Sequence, residues 1–497
     1  MRISCSSSSG LIESVQPSSR TQLLLDGVEY PLPLGAVVLP GFTDAHAHLI
    51  GLGEMASKVN LVDATSPEEC ARRVADHAKN LPAGTWVQGF GWNQEKWGVP
   101  QLPTRALLDA LLPHHPVLLL RVDTHAAWVN SAAIRAAEIT PGWIDGGEVL
   151  LDEFGQPNGI LVDTAMELAL RHVPPITTQQ RAAWIEHGIQ ECLRYGITCV
   201  HDMNVEPERL QAMASIAERG GMKIRCEVFL KAQGEEWRAV LQPGPLANNV
   251  NIAGVKYFAD GALGSRGALL LEPYSDAPDT RGIQLLSADQ LAGLAAEPAR
   301  RGFAIATHAI GDGANRLVLD AYAQLRRSHP DALLRVEHAQ IVHPDDVPRF
   351  AALGALPSMQ PTHCTSDAAM AQQRLGSQRC GYAYGWRNLR RAGLPILAGS
   401  DFPIESPDPI AGIRAFAERI DSSTNKPWHI QQAISPQEAI AAFTEWPRLG
   451  IPGKPRRGRL AEGYAADVVV LSGDPCAAGT SQAIATIVAG NVAWAWT

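Results

Sequence analysis

No two of the eight cysteines (Cys5, Cys70, Cys192, Cys199, Cys226, Cys364, Cys380 and Cys476) are spaced Cys-x-x-Cys. That absence argues against a zinc knuckle or a disulfide frame, and thiols scattered in this way fit a reducing compartment. No apolar run approaches the ~20 residues that cross a bilayer. The opening Met-Arg-Ile-Ser-Cys-Ser-Ser-Ser-Ser-Gly has no continuous apolar stretch of the secretory-signal kind. The expectation is a soluble, cytoplasmic protein with no membrane partner. Basic charge is also short, with 42 Lys and Arg against 51 Asp and Glu and a net charge of −9. Nucleic acid is therefore not expected as a partner, since phosphate binding needs a concentrated basic surface. The one basic cluster, Lys454-Pro-Arg-Arg-Gly-Arg459, reads as a solvated loop. There is no internal repeat, and low complexity is confined to Ser6 through Ser9.

What remains is ordinary for a globular enzyme: 46% hydrophobic and 19% charged residues over 497 positions, enough to bury one very large core or two. From Gly196 onward, short apolar or β-branched runs alternate with amphipathic stretches. The runs cover residues 197–203, 223–231, 251–258, 303–308, 333–338, 355–360 and 395–400. Capping residues open several of the stretches between them, as in Ser287-Ala-Asp-Gln and His343-Pro-Asp-Asp. With residues 36–43 as the first strand the count is eight, the arithmetic of an α/β fold of the (β/α)8 TIM-barrel type. About 150 residues between the first and second strands exceed any ordinary loop. They hold helix candidates at 67–80, 104–112 and 177–195, a strand at 117–122, and Trp86, Trp92, Trp97, Trp128 and Trp143. The expected organisation is a barrel over 41–449, an inserted subdomain at 60–195 over its mouth, and a small β-sandwich built from 1–40 and 450–497.

Five short signals carry the chemistry. They are Asp44-Ala-His46-Ala-His48, Lys256 in Val-Lys-Tyr-Phe-Ala-Asp-Gly, His308 in Thr-His-Ala-Ile-Gly-Asp, His338 in Val-Glu-His-Ala-Gln, and Asp401 in Ala-Gly-Ser-Asp-Phe-Pro. The two-residue period of a strand puts His46 and His48 on one face, able to converge on one ion. His308 and His338 end neighbouring strands, so the four imidazoles supply the nitrogen donors that zinc and related ions prefer. Asp401 is either an N-cap for the next helix or a carboxylate able to bind metal and relay a proton. Taken from the residues alone, Lys256 reads as a binder of a substrate carboxylate.

In combination with Gly89-Phe-Gly-Trp-Asn93, Val122-Asp-Thr-His-Ala-Ala-Trp-Val-Asn130, Phe258-Ala-Asp-Gly-Ala-Leu-Gly-Ser-Arg266, His308-Ala-Ile-Gly-Asp312 and Glu337-His-Ala-Gln340, these signals resemble the amidohydrolase superfamily. The closer resemblance is to its family 3 branch, which includes N-substituted formamide deformylases. It runs from about residue 11 to 497. It implies two divalent ions, zinc by default and iron, manganese or cobalt as alternatives. His46, His48 and Asp401 would hold the more buried ion, and His308 and His338 the second. Lys256, carboxylated by carbon dioxide, would bridge them. It further implies hydrolysis of a C–N bond in an amide or N-substituted formamide by metal-activated hydroxide, with Asp401 as proton shuttle. Proteins of this kind carry several strands before the segment that matches residues 10–15. Only nine residues precede it here, so the sandwich is expected to lack its first strands.

Around the metals, Asp123, His125, Trp92, Asp260, Arg266, Gln360 and His363 are the candidate substrate contacts. Each has an alternative: His125 and Asp123 could bond within the insert, Arg266 could pair with Asp260 or Asp276, and the tryptophans could be core rather than pocket wall. Two other functions share the pattern. One is a mononuclear deaminase or cyclic-amidine hydrolase that uses His46, His48, one later histidine and Asp401. The other is a metal-free barrel scaffold. A homodimer is the default assembly.

Overall fold

The apolar run 36–43, read above as one strand, is two strands in the structure, a computed structural model that describes residues 1–98, 101–122, 125–477 and 481–496. Val37–Pro40 pairs antiparallel with Val468–Leu471 in a terminal sheet, whereas Phe42–Ala47 is the first strand of the barrel. Gly41 stands at the junction, its N–H donated to Asp467 O at 2.9 Å. A Cβ there would lie 2.3 Å from the Thr198 methyl, so the two chains approach this closely only over a glycine.

The chain divides into two compact units, Met1–Leu52 with Ile185–Thr497, and Gly53–Trp184. In the first, eight strands run parallel in barrel order: Phe42–Ala47, Ile197–Val205, Arg225–Lys231, Val250–Phe258, Ala304–Ala309, Leu334–His338, Leu356–Met359 and Leu397–Ala398. The short strand Gly244–Ala247 adds to the fourth, antiparallel. First and eighth strands are linked just past their ends, where Asp401 N donates to His46 O (2.8 Å) and His48 N to Phe402 O (2.9 Å). The barrel is thereby nearly closed, and the (β/α)8 expectation is met. Helices follow the strands with the expected caps. Ser287 and Gln290 form a capping box on Ala288–Arg300, and Gly354 (φ 61°) ends Val347–Leu353 in the left-handed conformation.

The lower end of the barrel is sealed by a segment expected to lie in solvent. Ile451 packs among Met203, Phe229, Ala253, Ala304 and Ala306. Arg457, inside the basic cluster, pairs with the buried Glu227 at 2.6 Å. Glu227 is too deeply buried to stand alone, and the guanidinium is the partner that makes its charge tolerable.

Two four-stranded sheets come from the chain ends. One runs Leu11–Gln16, Arg2–Ser6, Gln22–Leu25, Val28–Tyr30; the other runs Asn491–Ala495, Ala483–Val488, Val468–Leu471, Val37–Pro40. Ile3, Leu23, Val38, Val468 and Ile487 form one apolar cluster between them. The sheet that was expected to lack its first strands has Arg2–Ser6 at its centre, paired on both sides.

The second unit is built on a seven-stranded sheet. Its order is Gly142–Ile144, Gly147–Leu151, Pro157–Asp163, Ala126–Val129, Val117–Arg121, Val87–Trp92, Val59–Asn60. Helices Pro67–Ala78 and Arg105–Leu111 contribute Val74 and Leu108 to its core. Among the described residues no helix is long and apolar enough to cross a membrane.

Candidate metal centre

Strand periodicity, with a twist at the strand ends, brings the five signals together. His46 lies inside the first barrel strand, one turn of pleat below the position expected for it, and His48 follows the strand. His338 and Asp401 both have positive φ (70° and 60°), which turns the side chains that follow the sixth and eighth strands out of the regular alternation. The ligand atoms of His46, His338 and Asp401 lie within 4.8 Å of one another. Asp401 Oδ1 is 3.2 Å from His48 Nε2 and 3.6 Å from His46 Nε2. The His308 and His338 rings are 4.4 Å apart.

Three of the four histidines are held by their other nitrogen, as metal-binding imidazoles usually are. His46 Nδ1 donates to Glu337 Oε2 at 2.6 Å, His48 Nδ1 to Met203 O at 3.2 Å, and His338 Nδ1 to Gln360 Oε1 at 2.8 Å. These bonds fix the tautomer and leave each Nε2 lone pair toward the cluster. Burial, reinforced by Lys256, lowers His46 to about 4 and His308 to about 3, so both are neutral donors. Burial by itself would raise Asp401, but His46 and His48 hold its carboxyl well below the usual range.

Beneath the histidines lies a polar core that the sequence signals did not assign. Glu337 and Arg335 alternate on the inner face of the sixth strand, and neither has any exposure. Arg335 donates to both Glu337 oxygens (2.8 and 3.1 Å), to His201 Nδ1 (2.9 Å) and to Ala45 O (2.8 Å), and its guanidinium sits 4.5 Å above the Phe229 ring. Burial alone would raise Glu337, yet Arg335 and His46 keep it well below the usual carboxylate range. On the other side, Asp44 accepts Ser400 Oγ (2.6 Å), Ser400 N and His46 N (both 3.1 Å), tying the first strand to the eighth. Burial still pushes its carboxyl up to about 7. Charged residues two apart within a buried strand, Arg335 and Glu337, are the signal by which this layer is legible in sequence.

Among the described residues, four buried atoms at the site have no hydrogen-bond partner: Lys256 Nζ, His308 Nε2, Gln360 Nε2 and His363 Nε2. His308 Nε2 comes within 3.4 Å of Asp260 Oδ1, but no hydrogen bond forms there. Unsatisfied buried polar atoms are costly unless something else meets them. Neutral imidazoles and an ionised carboxylate lining one cavity form a donor set that fits a divalent cation, with which a protonated Lys256 would not be compatible. Burial lowers Lys256 to about 8.

The remaining expected contacts separate into two groups. His363 opens the helix Pro361–Cys380 and stacks parallel to His338 at 6.4 Å; it lines the same cavity of about 480 Å³ as the metal-ligand candidates. Gln360 gives its Oε1 to His338, and its buried Nε2 has no hydrogen-bond partner among the described residues. Asp260 accepts Leu269 N (2.9 Å), Ile310 N (3.0 Å) and Gly311 N (2.9 Å), so it is an anchor for the loops beside His308, not a free contact. Arg266 is taken by Asp276 at 2.9 Å. In the second unit, Trp92 has no exposed surface: it stacks on Trp97 and gives its N–H to Leu119 O, which is the core reading rather than a pocket wall. His125 bonds to Asp163 at 2.8 Å within that unit. Asp123 lies outside the described residues.

The profile of the amidohydrolase family matches residues 34–493. Among curated proteins, the putative amidohydrolase YtcJ of Bacillus subtilis (strain 168) is 36% identical over 462 residues, covering 90% of this chain and 86% of its own. The N-substituted formamide deformylase of Arthrobacter pascens is 27% identical, with 90% and 85% covered. Among solved structures, an uncharacterized metal-dependent hydrolase from Pyrococcus horikoshii OT3 superposes with a TM-score of 0.78 at 25% identity, covering 96% of this chain and 97% of that one. A match that spans nearly the whole chain, on a barrel whose strand ends carry four histidines and an aspartate, shows that this chain belongs to the amidohydrolase family.

Proposed function

We propose that the protein is a metal-dependent amidohydrolase that cleaves the C–N bond of a small amide of the N-substituted formamide or N-acyl amine class. The observation that carries this reading is the convergence of His46, His48, His308, His338, Asp401 and Lys256 on one cavity. The substrate class draws on the deformylase named above. His46, His48 and Asp401 would hold one divalent ion, His308 and His338 a second, with zinc, iron, manganese or cobalt all compatible with these donors. When bound, such ions supply Lewis acidity, lowering the pKa of water and polarising an amide carbonyl.

The protein's own groups do the rest. Asp401, held as a carboxylate by His46 and His48, takes a proton from the attacking water at its carboxylate and passes it to the leaving nitrogen. Lys256, buried without a partner and with its pKa lowered to about 8, would add carbon dioxide as the free amine with loss of one proton, and the carbamate would supply anionic oxygen donors to the metal centre. Glu337 and Gln360 keep the His46 and His338 lone pairs aimed inward throughout.

A second reading rests on a narrower observation, the grouping of His46, His338 and Asp401 within 4.8 Å. That set suits a mononuclear deaminase or cyclic-amidine hydrolase with Lys256 unmodified. Metal content of protein prepared without chelator or nickel, by plasma mass spectrometry, separates them: about two ions per chain supports the amidohydrolase reading and about one the mononuclear reading. Undiminished hydrolysis of an amide panel by metal-loaded Asp401→Ala and His46→Ala variants would refute both.

A further inference from the structure

The cavity above the metal-ligand candidates has a charge pattern that the hydrolytic reading does not use. Its wall is apolar, formed by Phe258, Leu263, Met370 and Ile404 among others. Its floor is marked as ligand-receiving by Lys256 Nζ, which is buried and without a partner. Two further carboxylates, Asp367 and Glu405, line the cavity.

Neither is neutralised by the protein. Asp367 Oδ2 accepts Tyr384 Oη at 2.7 Å and Gln340 Nε2 at 3.5 Å, and Oδ1 takes no hydrogen bond among the described residues. Glu405 Oε1 accepts Ser366 Oγ at 2.6 Å, and Oε2 is likewise without a donor among the described residues. All three donors are uncharged. Ser366 and Asp367 are consecutive on the helix Pro361–Cys380, and Asp367 and Glu405 line the same cavity.

Two nearby arginines, Arg374 of the same helix and Arg266 of the loop after the fourth strand, are engaged elsewhere. Arg374 and Arg266 both close on Asp276, and Arg374 also donates to Gly264 O at 3.1 and 3.2 Å. Asp276 thus consumes the two guanidiniums that could have served an anionic substrate. Among the described lining residues Lys256 is the one lysine or arginine, with Glu337, Asp401 and Arg335 as its charged neighbours. Carboxylates set in low-dielectric walls attract a positive charge and repel a negative one.

We propose that Asp367 and Glu405 select substrates by charge: an amide whose apolar body ends, away from the scissile bond, in a protonated nitrogen is preferred, and one ending in a carboxylate is rejected. This inference rests on the hydrolytic reading above. It names mono-N-acylated or mono-N-formylated diamines as the substrate class, and it excludes N-acyl amino acids. The reaction needs only water: the C–N bond breaks, the carbonyl carbon gains the water oxygen as a carboxylate, and the nitrogen leaves as an amine, protonated in solution.

The test is a matched series on the metal-loaded enzyme: N-hexylformamide, its ω-ammonium analogue and its ω-carboxylate analogue, compared by kcat/KM. The ammonium substrate is expected to exceed the neutral one by on the order of tenfold, the worth of one partly buried ion pair, and the carboxylate to fall below both. In Glu405→Gln and Asp367→Asn, the ratio of ammonium to neutral substrate collapses through KM, and added salt narrows it in the unmodified enzyme. Equal kcat/KM across the series, or a ratio unmoved by both variants, overturns the proposal. Should none of the three be hydrolysed, calorimetric titration of hexanediamine against hexylamine decides it. Tighter diamine binding that is lost in Glu405→Gln upholds the charge selection while the amide-hydrolysis reading falls; equal binding overturns the selection itself.

Discussion

Replacing Glu337 with glutamine is the most discriminating perturbation of the buried layer. The carboxylate has no exposure and receives two bonds from Arg335 and one from His46 at 2.6 Å. An amide keeps the shape but brings an NH2 group against donors, and it leaves the Arg335 guanidinium with only neutral acceptors: His201, Ala45 O, Ser358 Oγ and Gly450 O. Stranding one member of a buried ion pair costs about 3–5 kcal/mol. The same change frees the His46 ring, and loss of such a supporting bond weakens metal binding by roughly 10–100-fold. Chemical denaturation of metal-free protein reads the first effect; competition with a chelator of known affinity reads the second. The double variant Arg335→Met/Glu337→Leu removes both charges, so its loss of stability should be smaller than the sum of the two single variants. If Glu337→Gln leaves stability within ~1 kcal/mol and metal affinity unchanged, the pair is not what orients His46.

Three other perturbations follow from the same geometry. His308 has a folded pKa of about 3, below the 6.5 of an unfolded histidine, so on acidification the unfolded chain takes up the proton first. The stability it contributes in metal-free protein is complete above pH 6.5 and is lost as pH falls toward 3. Because Asp44 and Asp260, raised to about 7, act with the opposite sign, the readout is the difference in pH slope between wild type and His308→Gln; identical slopes would contradict it. Gly399→Ala would set a Cβ 2.5 Å from His46 N and 2.8 Å from Asp44 Oδ1, and neither neighbour is free to yield. A loss of about 1–3 kcal/mol with lowered metal content is expected, and a normal thermal midpoint with full metal content would refute it. Ile451→Ala should cost about 2–5 kcal/mol in denaturant midpoint while leaving metal stoichiometry as it was, because it empties the lower barrel and not the site.

Strand positions were legible because apolar runs of the right length end in turn residues, and the runs ending at His308, His338 and Phe258 are the strands observed. The first strand was misplaced because 36–43 was read as one apolar run across Pro40-Gly41, the break at which the chain changes sheets. Residue type located the histidines and Asp401, but not their supports. Asp260 and Gln360 resemble substrate contacts in sequence because their partners, backbone N–H groups and an imidazole, are set only by the fold. Arg457 reads as a surface charge because Glu227, which accounts for its burial, lies on a strand far away in sequence. The surroundings of Arg266 and Trp92 are likewise set by the fold, one paired with Asp276 and one enclosed.

The way the barrel is completed bears on its biosynthesis. Val37–Pro40 leaves the ribosome early, but its partner Val468–Leu471 is among the last strands made. Phe42–Ala47 must likewise wait for the loop after Leu397–Ala398, and the lower opening for Ile451. At ~5–20 residues per second, the nascent chain holds these strand edges unpaired for some tens of seconds. Such edges invite pairing with other chains. Expression yield should therefore depend on chaperone supply and temperature more than the stability of the finished protein would suggest, and nascent chains stalled before the final strands should be held by chaperones instead of released as folded barrels.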